Sequence, residues 1–167
     1  GTQLPGQSHF CSKDLAENVM IVDLMRNDFG AICQNGSVTV PRLLASEPHP
    51  GLVHLVSDVE GELRSGISWG EIIASLHPPG SISGAPKSSA ISVITDNESA
   101  RGPYCGALGW VQGNQCELSV AIRIFWKDSA LRFGTGAGIT WGSNPEDEWE
   151  ETQLKARRLI SIAGCVV

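Results

Sequence analysis

The chain of 167 residues is 41% apolar and 6% aromatic, enough for one substantial core in a soluble globular domain or a large piece of one. Its net charge of −6, from 12 basic and 18 acidic residues with no basic run, argues against a nucleic-acid surface, whose affinity comes from clustered Lys and Arg, yet leaves room for a small anionic substrate. The cysteines Cys11, Cys33, Cys105, Cys116 and Cys165 are odd in number, scattered and without a C-x-x-C pair, so they read as reduced thiols of a cytoplasmic protein rather than a disulfide framework or zinc site.

The opening Gly1-Thr2-Gln3-Leu4-Pro5-Gly6 has neither initiator Met nor signal-peptide layout, and no apolar run approaches the ~20 residues of a membrane helix. Residues 1–11 read as a truncated or loop segment, and 12–167 as the folded part. Ser12 is placed to cap a short helical turn over residues 13–18. It leads into Val19-Met20-Ile21-Val22-Asp23-Leu24-Met25, an apolar run of strand length that predicts a buried strand. The polar cluster Arg26-Asn27-Asp28-Phe29-Gly30 is of the kind that closes strands. Asn35-Gly36 is a hairpin signal, and the β-rich residues 37–40 and 52–63 are expected to pair.

Ser68-Trp69-Gly70-Glu71 matches a capping box opening a helix to about Leu76, stopped by Pro78-Pro79-Gly80. Pro86 suits the first position of a second helix running through Ile91 and Ile94 toward Asp96. Three β-like runs between residues 104 and 140, separated by Gly113-Asn114-Gln115 and Lys127-Asp128-Ser129, predict an antiparallel meander. Ser143-Asn144-Pro145-Glu146 reads as another capping box, opening a final helix to about Ala163. The order strands, helices, strands, helix predicts an α+β fold with mainly antiparallel sheets.

On the last helix, Glu148, Glu151 and Lys155 share a stripe beside an apolar arc of Trp149, Ala156, Leu159 and Ile160. Two carboxylates there suit magnesium, which takes hard oxygen donors, or else form a solvated face with a Glu151–Lys155 pair. The stretch Gly80-Ser81-Ile82-Ser83-Gly84-Ala85-Pro86-Lys87 feeds a helix N-terminus, where free N–H groups hold anions or merely build a turn. Phe133-Gly134-Thr135-Gly136-Ala137-Gly138 lets a backbone approach a ligand, or lets two elements pack. Arg123 interrupts the apolar run of residues 118–125, where its guanidinium needs a partner or a cavity to line. A two-pronged carboxylate contact would satisfy it. His54 lies in a second apolar run, where a satisfied core histidine is the ordinary reading.

Taken in order, these stretches resemble the chorismate-binding family, which includes anthranilate, aminodeoxychorismate, isochorismate and salicylate synthases. They are Lys13-Asp14-Leu15-Ala16-Glu17-Asn18, Ile21-Val22-Asp23-Leu24-Met25-Arg26-Asn27-Asp28, His54-Leu55-Val56-Ser57, the Gly80 to Lys87 loop, Ala121-Ile122-Arg123, Gly136-Ala137-Gly138, and Glu148 through Lys155. The resemblance implies that Glu17, Glu148 and Glu151 surround Mg2+, which bridges to a carboxylate of chorismate. It implies that Tyr104, Arg123, Gly136, Gly138 and Lys155 hold the substrate. Ser81 would face it, and His54 would lie near the ring carbon that loses its hydroxyl, a catalytic role in place of the core one.

The wording Arg101-Gly102-Pro103-Tyr104-Cys105-Gly106-Ala107-Leu108-Gly109-Trp110, with that of residues 23–28, looks more like aminodeoxychorismate synthase component I, which serves para-aminobenzoate and folate synthesis. The alternatives are anthranilate synthase component I, of tryptophan synthesis, and a non-catalytic chorismate-binding fragment. Gly1-Thr2 resembles the end of the family's Pro-Ile-Lys-Gly-Thr motif. Its lysine would then precede Gly1, and the chain alone is expected to be incomplete. A glutamine amidotransferase subunit or domain is the implied source of ammonia. Two departures stand out: Ser88-Ser89 follow Lys87 where a basic residue is common, and Trp141-Gly142-Ser143 replace a usual Asp-Ser.

Overall fold

The computed structural model describes residues 2–3, 6, 10–49 and 52–164. In chain order it contains β1 (Thr2–Gln3), α1 (Ser12–Gly30), β2 (Thr39–His49), β3 (Leu52–Glu60), α2 (Trp69–Leu76), α3 (Gly80–Ser83), α4 (Lys87–Asn97), β4 (Ala107–Gln112), β5 (Gln115–Val120), β6 (Phe125–Lys127), β7 (Leu131–Phe133) and α5 (Pro145–Ile162). The fold is α+β with small antiparallel sheets, as the order of elements predicts. It divides into two units, Gly1–Ala90 and Ile91–Val167.

In the first unit, the expected strand over residues 19–25 is instead the middle of α1. Its buried or half-buried positions, 14–15, 17–18, 21–22, 24–25 and 28–29, recur every three to four residues, the period of a helix with one face on a sheet. A run of seven apolar residues is short enough for either element, and here packing decides. The cluster 26–30 forms the helix's last turns rather than a strand-ending loop, and Asp28 is buried at 7% exposure. The cap also sits one residue earlier than expected: the sulfur of Cys11, not the hydroxyl of Ser12, accepts from the Asp14 N–H at 3.4 Å.

Helix α1 lies on the sheet ordered β1-β3-β2. The predicted pairing of the two β-rich stretches holds at Thr39 opposite Glu60, and β2 continues past residue 40 to His49, with Ala45 opposite Val56 and Glu47 opposite His54. Asn35-Gly36 does form a turn, with Gly36 at φ +79°, but it precedes β2 rather than joining the two strands. Across this turn Gln34 donates to the Glu62 carbonyl at 2.7 Å, and Cys33 bridges Leu63. Ile32, Cys33 and Ile72 form the buried centre, with Phe29, Val38, Ile67, Trp69 and Leu76 packed around them. The Ser68 capping box of α2 is present with both of its hydrogen bonds.

In the second unit the expected meander resolves into two hairpins, β4–β5 and β6–β7. The break falls at residues 121–124, where Arg123 takes φ +54°, a conformation no β-strand continues through. Helix α5 begins as predicted, with Pro145 in its first turn, but Asn144 is the cap. Its side chain accepts from the N–H groups of Glu146 at 3.0 Å and Asp147 at 3.2 Å. Ser143 is thereby released for another role. Ala156 on α5 is buried, whereas Trp149, expected in the apolar arc, is 65% exposed. The described cysteines Cys11, Cys33, Cys105 and Cys116 are free thiols, and Cys165 lies outside the described residues.

Candidate functional site

The first unit carries Glu17, His54 and Ser81. Glu17 is half-buried on α1, next to Asn18. Asn18 donates to the Leu55 carbonyl at 3.4 Å and accepts from the Ser57 hydroxyl at 2.6 Å. Ser57 also accepts the Leu44 N–H at 2.9 Å. Strand alternation therefore turns Leu55 and Ser57 toward α1 and His54 toward the other face. There His54 stacks obliquely on His49, ring centroids 4.8 Å apart. His49 in turn lies 3.5 Å from the Glu47 carboxylate, and Glu47 lies 3.4 Å from Arg42. Ser81 is exposed on the one-turn helix α3, between the cis peptides His77–Pro78 and Ala85–Pro86. Gly80 beside it is buried against Leu24, which leaves no space for a β-carbon.

Lys87 is half-buried, with its ammonium 2.7 Å from the Asp28 carboxylate and 2.7 Å from the Ser75 carbonyl. It is engaged by the protein rather than held out to a ligand.

The second unit carries the remaining seven. Tyr104 is half-buried, its ring directly against Gly134. Its hydroxyl lies where a β-carbon on Gly136 would be 3.1 Å away. The glycine-rich stretch thus gives close approach to a tyrosine. Burial, and next the neighbouring Cys105, pushes the Tyr104 phenol up to about 12. Arg101, one turn away, is held by a two-pronged contact to Glu98, both arms at 2.7 Å, and donates to the Cys105 sulfur at 3.5 Å.

Arg123 is exposed on its left-handed turn and makes no hydrogen bond or ion pair with any described residue. The expected need for a partner is met by exposure, which leaves the guanidinium open to an anion. Gly138 is exposed in irregular backbone.

On α5, Glu148 is buried at 5% exposure and accepts from the Ser143 hydroxyl at 2.6 Å. Ser143 itself accepts the Thr140 N–H at 2.9 Å. Glu151 pairs with Lys155 at 2.7 Å. Sequence reasoning missed the role of Ser143, whose signal was its position five residues before a carboxylate. Glu148 and Glu151 stand one turn apart with hard oxygen donors, one of them already desolvated, and so suit Mg2+. Among the described residues no three His, Cys, Asp or Glu side chains gather around one point. Substrate oxygens and water would complete the shell, as magnesium commonly requires.

The family profile described as chorismate binding enzyme matches residues 10–161. Anthranilate synthase component 1 of Neisseria meningitidis serogroup B is 42% identical over 158 residues, covering 93% of this chain and 32% of that protein. Anthranilate synthase component 1 of Archaeoglobus fulgidus is 40% identical over 153 residues, covering 91% and 37%. The chain thus spans about a third of the length of these relatives. The crystal structure of anthranilate synthase component I from Streptococcus pneumoniae superposes with a TM-score of 0.77 at 33% identity, covering 90% of this chain and 35% of that one. MenF, the menaquinone-specific isochorismate synthase of Escherichia coli, superposes with a TM-score of 0.79 at 26% identity, covering 91% and 35%. No helix among the described residues is long and apolar enough to cross a membrane.

Proposed function

The chain belongs to the chorismate-binding enzyme family, and from that premise we propose that residues 12–167 are the C-terminal part of the catalytic domain of a chorismate-aminating component I. The identity of 40–42% with anthranilate synthase component 1 over more than nine-tenths of the chain carries this reading and favours anthranilate as product. The second reading is amination at C4 to aminodeoxychorismate. It is favoured by the wording of residues 101–110 and 23–28.

In either reaction Glu148 and Glu151 would hold Mg2+, and the family resemblance adds Glu17 as a further ligand. A bound magnesium ion supplies charge neutralisation to a substrate carboxylate and fixes the ring for attack. Ser143 orients Glu148, and Glu151 is freed for the site by giving up its pair with Lys155. The released ammonium of Lys155 and the guanidinium of Arg123 then hold substrate carboxylates. Tyr104, packed on Gly134 and beside Gly136, shapes with Gly138 the wall against which the substrate lies. A phenol kept protonated to about 12 remains a hydrogen-bond donor throughout the neutral range. His54 and Ser81 act on the departing hydroxyl as proton donor and hydrogen-bond partner. Ammonia comes from a glutamine amidotransferase subunit or domain, and the enzyme works in the cytoplasm.

The test is a product assay on the complete reading frame with chorismate, ammonium and magnesium. Anthranilate together with pyruvate is expected. Aminodeoxychorismate without pyruvate would move the protein to the second reading, and absence of turnover would leave chorismate binding alone.

A further inference from the structure

The Gly80 to Lys87 loop is closed at its neck by a charged group that no proposed chemical role uses. Lys87, at the start of α4, reaches back to the carbonyl of Ser75 in the last turn of α2, 2.7 Å away. The ammonium therefore ties together the two ends of the connection that carries Ser81. The same ammonium lies 2.7 Å from Oδ2 of Asp28, a buried carboxylate oxygen with no other donor among the described residues. Ser75 completes the knot: its hydroxyl donates to the Asp28 main-chain carbonyl at 2.9 Å.

One turn earlier on α1, Leu24 lies against Gly80, where a β-carbon would come within 2.9 Å of Leu24 Cδ1. The loop is thus pinned to α1 at two heights. Between the pins, α3 is held by only a few bonds, from the N–H groups of Ile82 and Ser83 to the Pro79 carbonyl and from Gly84 to Gly80. A single helical turn has little stability of its own, so its geometry depends on how its ends are fixed.

The geometry points to Asp28 and Lys87 as positioning residues: their ion pair, buried at its Asp28 end, fixes the Gly80–Ser83 turn, and through it Ser81, in the arrangement the reaction needs. This rests on the chorismate-amination reading for the part played by Ser81. Removing one charge strands the other in the interior, which destabilises the fold, whereas removing both is often nearly neutral for stability. That difference separates positioning from simple support.

The experiment compares the complete protein with Lys87→Met, Lys87→Arg and the double variant Asp28→Asn/Lys87→Met, measuring thermal midpoint, kcat and KM for chorismate, and amide hydrogen exchange of residues 82–84. Lys87→Met is expected to melt lower. The double variant is expected to recover most of the midpoint while kcat stays at least tenfold down and the amides of residues 82–84 exchange at least tenfold faster. Lys87→Arg, which keeps the charge and folds without a stranded carboxylate, is expected to restore part of kcat. Recovery of kcat together with the midpoint in the double variant overturns the proposal. If the parent protein turns over no chorismate, the amination reading fails by itself. Exchange then decides the tie: unchanged protection of residues 82–84 in the double variant and in Lys87→Arg overturns it, and faster exchange in the double variant upholds it.

Discussion

Replacing Ser143 by alanine removes a hydroxyl that contacts Glu148 and both the N–H and the hydroxyl of Thr140, the last at 3.4 Å. It donates to Glu148 at 2.6 Å and accepts from Thr140 at 2.9 Å. The Thr140 N–H lies in an exposed segment, so water replaces that bond at little cost. The Glu148 bond differs, because the acceptor is a carboxylate at 5% exposure and water reaches it poorly. Hydrogen bonds to charged groups contribute about 1.5–3 kcal/mol, which sets the expected loss for Ser143→Ala at about 2 kcal/mol. Urea unfolding should show a lower midpoint at unchanged slope. A double-mutant cycle with Glu148→Ala isolates the pair, and the expected coupling is on the order of 1–2 kcal/mol. Isothermal titration adds a functional readout. Partners that orient metal-ligating carboxylates tune affinity by about 10–100-fold, so Mg2+ should bind at least tenfold more weakly to Ser143→Ala. A coupling below about 0.5 kcal/mol, the usual scatter of independent sites, would refute the claim that this hydroxyl fixes the carboxylate.

Gly134→Ala places a β-carbon into the Tyr104 ring and 2.8 Å from Tyr104 Cβ; overpacking of this kind costs about 1–3 kcal/mol, and a lower melting midpoint with raised KM for chorismate is expected. Tyr104 is the chain's one tyrosine, and an ultraviolet titration corrected with Tyr104→Phe should give a midpoint near 12. Because its folded pKa is raised, its contribution to stability is complete below the unfolded value of about 10 and is lost as pH climbs through the folded one. Asp128 is held down at about 2 by the Ala130 N–H first and by Arg132 next. Its contribution is therefore present above the unfolded value of about 3.9 and disappears as pH falls through the folded one. Carboxyl chemical shifts should locate that midpoint, and Asp128→Asn should remove it.

How legible each part was in the sequence depended on whether a local rule had a competitor. The Ser68 box had none: a serine, a glutamate three residues on and a following proline pair define both ends of α2, and the structure keeps them. At the start of α5 two caps competed, since Ser143 and Asn144 both suit the position. Pro145, at home in the first helical turn, is satisfied with Asn144 as cap, and Ser143 goes to Glu148. At α1 the contest was between periods. The β-branched Val19, Ile21 and Val22 favour a strand, but Asn18 and Asp28 belong to a three-to-four-residue repeat that extends well beyond the apolar run. A longer window would have exposed that repeat, since it begins at Asp14 and ends at Phe29. The Asp28–Lys87 tie was beyond any local rule, because it joins residues 59 positions apart. The family resemblance supplied what periodicity cannot, namely which of many polar residues deserve a role.

The candidate residues also differ in how their backbone presents them. Glu148, Glu151 and Lys155 sit on a regular helix, so spacing alone puts them on one face. Tyr104 and Arg123 depend on irregular backbone: Tyr104 precedes Cys105 at φ +65°, and Arg123 itself lies at φ +54°. Non-glycine residues in this region cost on the order of 1–3 kcal/mol each and persist where surrounding bonds over-determine them. Those bonds converge on Ala121, which is buried at 6% exposure. Its carbonyl accepts from the Cys105 N–H at 2.8 Å and its own N–H donates to the Gly106 carbonyl at 2.8 Å. The end of the β4–β5 ladder therefore fixes both left-handed residues from a single pairing. It turns Arg123 out to solvent and sets Tyr104 on Gly134. Two side chains proposed to hold substrate, 19 residues apart in sequence, are placed by one pair of main-chain hydrogen bonds. That explains why a run that looks like continuous strand from Leu118 to Phe125 must break where it does: a strand through Arg123 would satisfy the ladder but lose both presentations.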